Sequence, residues 1–425
     1  FYPATTHTIG TDSLQNQTST AQMTYRGWSD GGTLFHTILY PGKDSTITAN
    51  FKPQYLLTVT AGIGGTAGPA TAFQDSGKVV AITATPTTGY SFAGWSGSGT
   101  GSYSGPANPS AVTMGSPVTE TAAFTTSPVQ VTVKSNPRGR SFIIDGVTYN
   151  DSIVFTWSAT QSHTVNTTSP QGDTATQYLW SSWSDGGARS HSVAPVTDTS
   201  YTVNFTTQYY LTMSSTTGGT VSPASAWYNA GSPVGISASS NTGYSFKNWS
   251  GTGTGSYSGP LTPANITMSS AIRETGNFAI DTLIVTSSAG ANGTISPPGG
   301  VKVTYGSNQL FTFSPSTGYH VDSVIVDGVN QPSAPSYTFI SVTTNRTIRV
   351  TFALNVQTIS ASAGANGVIA PSGVVNVTYG GSQAFSFTPS AGYHVDSVLV
   401  DGVPQPLASG YTFNNVIANH TIVVK

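Results

Sequence analysis

An internal repeat constrains this chain more than any other feature of its sequence. The string Gly89-Tyr-Ser-Phe-Ala-Gly-Trp-Ser-Gly-Ser-Gly-Thr-Gly-Ser-Tyr-Ser-Gly105 returns almost unchanged as Gly243-Tyr-Ser-Phe-Lys-Asn-Trp-Ser-Gly-Thr-Gly-Thr-Gly-Ser-Tyr-Ser-Gly259, at an offset of 154 residues. Duplication of so unusual a string means that a whole structural unit was copied, so each residue is read first by its position within the unit.

Aligning the chain on itself gives three module types. Module A is complete over 128–208: a strand from Val129 broken at Asn136-Pro-Arg-Gly139, then Phe142-Ile-Ile running into Asp145-Gly146, then Trp183-Ser-Asp-Gly-Gly and a closing strand to Phe205. Asp-Gly is a strong hairpin-turn pair. A partial A copy fills 1–53, with Trp28-Ser-Asp-Gly-Gly and Phe51 but no counterpart of the first hairpin. Aligning His7 with His163 places Phe1 near Trp157. Module B occupies 54–127 and 209–280. It opens on Leu57-Thr-Val-Thr or Leu211-Thr-Met-Ser, carries the Gly-Tyr-Ser-Phe strand with its Trp, and closes on Phe124 or Phe278. Two tighter copies, module C, follow at 281–354 and 355–425, where Gly318-Tyr-His-Val-Asp-Ser-Val and Gly392-Tyr-His-Val-Asp-Ser-Val run into Asp327-Gly328 and Asp401-Gly402. They read as diverged B modules in which the Trp is replaced by a continuing strand. The last copy lacks the final Phe, so its closing strand is incomplete. The chain therefore reads as a stretch of a longer array, or as an open module that a neighbouring strand fills.

Apolar residues alternate with polar ones, Gly, Pro, Asn and Asp punctuate, and no helical period stands out. The expected class is all-β: a tandem array of small β-sandwich or β-grasp-like modules forming an elongated rod. Units of this size hold a small core each, supported at the joints. Charged residues make up only 7% of the chain, against about a quarter in ordinary soluble proteins. With net charge −2 and no basic run, nucleic acid is excluded as a partner. No apolar stretch is long enough for a membrane-spanning helix. There is no cysteine, hence no disulfide and no thiolate metal site.

The B and C copies resemble the divergent internalin-type B-repeats of bacterial surface and secreted proteins. The resemblance lies in the Leu-x-Val-Thr opening, the glycine turn, the Pro86 to Trp95 run and the closing strand to Phe. The front of module A, from Ser135 to Gly146, resembles a PEGA-like surface domain. Such repeats imply extracellular spacers, stalks or adhesive arrays and bring no catalytic residue with them.

Repetition also sorts the polar residues. A catalytic site is a single constellation, yet here His36 pairs with His191, His320 with His394, His7 with His163, Asp30 with Asp185 and Glu120 with Glu274. Only His420 stands alone, its counterpart being Arg346. Trp-Ser-Asp-Gly-Gly followed by His offers the residue types of a hydrolytic triad without a nucleophile elbow. Asp-x-Asp spacing for calcium is absent, and Gly97-Ser-Gly-Thr-Gly lacks the Lys of a phosphate loop. No cofactor, metal or catalytic residue is expected. Trp95, Tyr103, Trp249 and Tyr257 are the candidate glycan-stacking residues: exposed rings beside hydroxyl-rich loops suit sugars, whereas buried rings would be scaffold. Sequons such as Asn166, Asn204, Asn265, Asn292 and Asn345 are expected in a chain this rich in Ser and Thr. The reading is a non-enzymatic extracellular or cell-surface structural protein: a stalk, adhesin shaft or filament subunit. Its expected partners are copies of itself or neighbouring modules of a longer chain. The alternative is a set of polysaccharide-binding accessory modules on a secreted hydrolase.

Overall fold

A computed structural model describes residues 5–39 and 42–425; the placement expected for Phe1 lies outside them. Strands alternate with turns throughout, and no helix occurs among the described residues. The chain divides into two compact units, Phe1–Tyr209 and Tyr210–Lys425.

In the first unit, the complete A module is two facing sheets. One runs Ser152–Ser158, Pro128–Asn136, Thr199–Ser215 (by its residues up to Tyr209), Thr176–Trp183 and Gln171–Gly172. The other runs Val147–Asn150, Ser141–Ile144, His163–Asn166 and His191–Val193. Pro128–Asn136 sends alternate residues inward, the period-2 rule of a half-buried strand. Val131, Val133, Phe142, Trp157, Trp183 and Val203 fill the space between the sheets. In the partial A copy only Ala21–Trp28 against Ala49–Ala61 and Thr6–Gly10 against Phe35–Leu39 are found, with the short Leu14–Gln15 at the edge. Among the described residues nothing occupies the place of the first hairpin. Trp28 is half-buried where Trp183 is buried, and Phe35 and Leu39 face solvent.

The B module of this unit sets Ser110–Thr113, Val79–Pro86 and Gly65–Gly68 against a sheet containing Ala49–Ala61, Val118–Thr126 and Tyr90–Ser98. Its core is Leu57, Ile82, Trp95, Val112, Met114 and Val118. The second unit repeats this frame three times, from Leu211 through Ile280, from Thr282 through Leu354 and from Val356 onward.

One pairing recurs in every complete module. The opening strand lies parallel to the closing strand: Leu57 opposite Val118, Val131 opposite Thr199, Leu211 opposite Ile272, Val285 opposite Arg346, Ile359 opposite His420. Parallel neighbours need a long crossover, and here the remainder of each module supplies it. The Asp-Gly turns are left-handed at both positions, with φ of 49° and 83° at 145–146, 48° and 80° at 327–328, and 48° and 79° at 401–402. That is the conformation for which hairpins select Asp-Gly.

Three joints within the units share one clasp. The junction residue donates its backbone N–H to the carbonyl of the glycine before the aromatic strand: Ser127 to Gly89 (2.9 Å), Asp281 to Gly243 (2.8 Å) and Asn355 to Gly318 (2.8 Å). Its own carbonyl then accepts from the following module: from Ala159 (2.7 Å), Tyr305 (2.9 Å) and Tyr379 (2.8 Å) respectively. The glycine is required. A side chain on Gly243 or Gly318 would run into the ring of Tyr305 or Tyr379, and both glycines have positive φ.

Gly318→Ala and Gly392→Ala therefore make a controlled pair. Both incur the left-handed backbone penalty of about 1–2 kcal/mol, but only Gly318→Ala also displaces a tyrosine ring, since nothing lies within 4 Å of the added carbon at Gly392. Hydrogen exchange should show Gly318→Ala loosening both C modules and Gly392→Ala loosening the last one alone.

Candidate functional site

The residues with chemical potential sit in four places, each recurring. The first is the Trp-Ser-Asp-Gly-Gly turn. Asp185 accepts from the Gly187 N–H (3.1 Å) and from His191 Nε2 (2.8 Å), while His191 Nδ1 reaches the Ala188 carbonyl (2.7 Å). Asp30 and His36 repeat this geometry, at 3.1 Å to Gly32, 2.8 Å between the pair and 2.9 Å to the Thr33 carbonyl. A ring flanked by a carboxylate and a carbonyl is best satisfied with a proton on both nitrogens. The hydrogen bond to Asp30 accordingly raises the pKa of His36, and the same bond lowers that of Asp30. With both ring nitrogens engaged in this way, neither histidine turns one toward a serine hydroxyl. Ser184 and Ser29 instead accept the backbone N–H of Thr202 and Thr48, both at 2.9 Å. No Ser-His bond forms, so the residue types of a triad are present without its geometry.

The second place is a latch on each Asp-Gly hairpin. Asp145 accepts the Thr164 N–H (2.7 Å) and pairs with His163 (2.7 Å), whose ring stacks on Trp157 at 3.9 Å. Asp327 accepts the Thr347 N–H (2.8 Å) and pairs with Arg346 (2.7 Å), which lies over Phe339. Asp401 accepts the Thr421 N–H (2.7 Å) and pairs with His420 (2.6 Å), 5.0 Å from Phe413. One aspartate thus ties the hairpin to the neighbouring strand, and its partner side chain, a histidine or an arginine, lies against an aromatic ring. His420, solitary in the sequence alignment, has true structural counterparts in Arg346 and His163. The signal was present as Asp-Gly followed 18 or 19 residues later by His/Arg-Thr-Val/Ile. Histidines paired by repeat offset did not reveal it.

The third place lies inside the B modules. Glu120 and Glu274 are fully buried. One carboxyl oxygen accepts the N–H of Tyr103 or Tyr257 (2.7 Å each), and the other has no partner. Burial raises both carboxyls above their ordinary pKa against the pull of that single hydrogen bond, because a buried charge with so little compensation is costly. Each glutamate pins the glycine-rich loop over the core. Side chains are excluded at Gly97 and Gly251 by the carboxyl oxygen and the tyrosine carbonyl.

The fourth place is the aromatic set proposed for sugars. Trp95 and Trp249 are 4% and 2% exposed, packed against Phe92 and Phe246, and each bridges through its backbone to Gly105 or Gly259. Tyr103 and Tyr257 are half-buried, with hydroxyls that accept the N–H of Ala107 (3.1 Å) and Leu261 (3.3 Å). The structure brings Trp and Tyr together in each copy, but as the lid of a core. A stacking role for Trp95 and Trp249 is corrected on that ground: their faces are spent on packing. Among the described residues no group of three or more His, Asp or Glu is placed to hold a metal, and no helix is long and apolar enough to cross a membrane.

A family model, the divergent InlB B-repeat domain, matches residues 55–128, 209–282 and 283–356. The chain belongs to the divergent InlB B-repeat family. The B-repeat match includes the first C module, so loss of the Trp did not remove that copy from the family. Among solved structures, the Bacillus anthracis TIE protein is similar, at 9% identity over 99% of this chain and 68% of that one, with a TM-score of 0.18; nothing is drawn from a likeness so slight. No curated protein matches.

Two outcomes test this assignment of roles. Trp249→Ala should destabilise its module by about 3–5 kcal/mol, as large core truncations do, measured by hydrogen exchange over 209–280. The carboxyls should also give opposite pH slopes. Asp30, Asp145 and Asp401 titrate below their ordinary values, the first two chiefly through their histidine bonds and Asp401 through His420 and Thr421 against burial. Their stabilisation is present above about pH 4 and is lost as pH falls through the depressed values. Glu120 and Glu274 are raised, so their contribution is full in acid and is lost as pH rises through the raised values. The melting-temperature difference of Glu120→Gln/Glu274→Gln over the parent should therefore become more positive from pH 4 to pH 8.

Proposed function

We propose that this B-repeat chain is a non-enzymatic structural protein of a bacterial surface, a spacer or shaft whose modules join by strand contacts. One observation carries the reading: the histidines, aspartates and arginine of the turns and latches and the two buried glutamates are consumed inside their own modules. The histidines of the Asp-Gly-Gly turns hold loops, those of the hairpin latches hold strands, and the buried glutamates hold the glycine loop. The joints add to it, since one hydrogen-bond clasp is used three times with different side chains. At those three joints the clasp sets one module against the next without a flexible linker, which is what a spacer needs. The low charge leaves little repulsion against close approach of neighbouring molecules. The filament and adhesin-shaft forms of this reading differ in what sits at the ends, not in the modules. Burial of Trp95 and Trp249 weighs against the polysaccharide-binding alternative.

Antibody raised against the chain should stain intact cells of the organism that makes it, and external protease should remove the signal. Staining only after lysis would overturn the surface role. Saturable binding of the folded chain to a soluble polysaccharide, with no surface staining of the producing cells, would favour the accessory-module alternative.

A further inference from the structure

Each B module buries two polar atoms that have no partner in the protein: the second carboxyl oxygen of Glu120 or Glu274, and the indole N–H of Trp95 or Trp249. The strand register makes each such pair neighbours. Gly97 lies opposite Glu120 and Trp95 opposite Ala122; in the second copy Gly251 lies opposite Glu274 and Trp249 opposite Gly276. Residues two apart on a strand share a face, so indole and carboxyl are diagonal neighbours on the inner face, within reach of long side chains. The other two corners of that square are glycine or alanine, which place almost no side chain between them. One loop covers both groups. Glu120 accepts from Tyr103 while Trp95 bridges through its backbone to Gly105, and Tyr257 and Gly259 do the same for Glu274 and Trp249.

The C modules fill the same square with buried apolar side chains. Ile348 lies opposite Val326 and Val350 opposite Val324; Ile422 lies opposite Val400 and Val424 opposite Val398. They also lack the glycine-rich loop. Glutamate, tryptophan and loop are therefore present together or absent together. The fold does not need a polar pair at this place, and stranding either member alone is costly, so their joint presence points to a link between them. Module A shows how an indole is satisfied without one: Trp183 Nε1 donates directly to the Arg189 carbonyl (3.0 Å). In the B modules the carbonyls of Gly105 and Gly259 are instead taken by the backbone N–H of Trp95 and Trp249 (2.9 and 2.8 Å).

We propose that each B module encloses one water molecule, which accepts the indole N–H and bonds to the free carboxyl oxygen of the glutamate. The chemistry of the two groups selects water. An indole only donates, whereas a carboxyl oxygen donates when protonated and accepts when ionised. Water offers two acceptor sites and two donors, so it takes both protons in the first case and donates to the carboxylate in the second. Internal waters are held in this way, by two to four bonds to polar groups that would otherwise be stranded. The bridge gives the glutamate a second hold beneath the loop, beside the tyrosine N–H. It does not depend on the reading of the chain as a surface spacer.

Crystals of the whole chain that diffract finely enough to place waters provide the test. Both B modules should show one solvent peak within about 3.2 Å of tryptophan Nε1 and of glutamate Oε2, and the matching squares of the C modules should be dry. A direct indole–carboxyl hydrogen bond, or the lack of that peak in either B module, would overturn the proposal. In solution, Trp249→Phe keeps an aromatic ring and loses the N–H, and Glu274→Leu removes the carboxyl. Each change alone strands one bond of the water, and together they remove the need for it. Local opening constants from hydrogen exchange over 209–280 should show the product of the two single effects exceeding the effect of the double variant by at least about two-fold. Effects that simply multiply would overturn the link. Where a variant fails to fold, the solvent peak in the parent decides.

Discussion

Every complete module depends on one contact, the parallel pairing of its first strand with its last. The two strands are separated by some sixty residues, so closing that loop carries a conformational-entropy cost that only a shared core can offset. Leu57 and Val118, or Ile359 and Ile422, are buried on the inner face of the sheet that this pairing makes. Once the strands are side by side, the rest follows. The closing strand delivers its phenylalanine over the glycine turn of Gly65, Gly219 or Gly293. The next residues are aimed at the preceding glycine carbonyl, and the following module starts from a fixed point.

The polar residues serve that same closure. A module of about 70 residues has a small core and a correspondingly small margin of stability. An aspartate that accepts a backbone N–H and pairs with a His or Arg side chain together, as Asp145, Asp327 and Asp401 do, stitches the hairpin to the neighbouring strand at little cost in ordering, because the turn already fixes it. His163 on Trp157 and Arg346 over Phe339 show why the partner can change type while the latch persists: the position asks for an N–H group on a flat face, and both side chains have one. Glu120 and Glu274 do the reverse of a surface carboxylate. Burial pushes their pKa up, and the single N–H they accept fixes the loop without a buried ion pair.

Much of this was legible from residues alone. Period-2 runs gave the strands, Asp-Gly gave the hairpins, and the copies gave the module frame, because these depend on neighbours within a few positions or on exact recurrence. The latches escaped, since an aspartate and its histidine lie 18 residues apart and meet only through the fold of the intervening strands. The role of Trp95 escaped for a related reason. A tryptophan in a glycine- and serine-rich setting looks exposed, and only the loop from Gly97 to Gly105 folding back over Glu120 buries it.

The sequence by itself determined that small β modules are repeated and that most of the chemistry-bearing residues recur with them. Local propensity and recurrence carry that information. The tertiary structure alone decided which histidine answers which aspartate and which glycine is a recess. Those facts belong to pairs of residues brought together by strand closure, and no single stretch of chain contains both members.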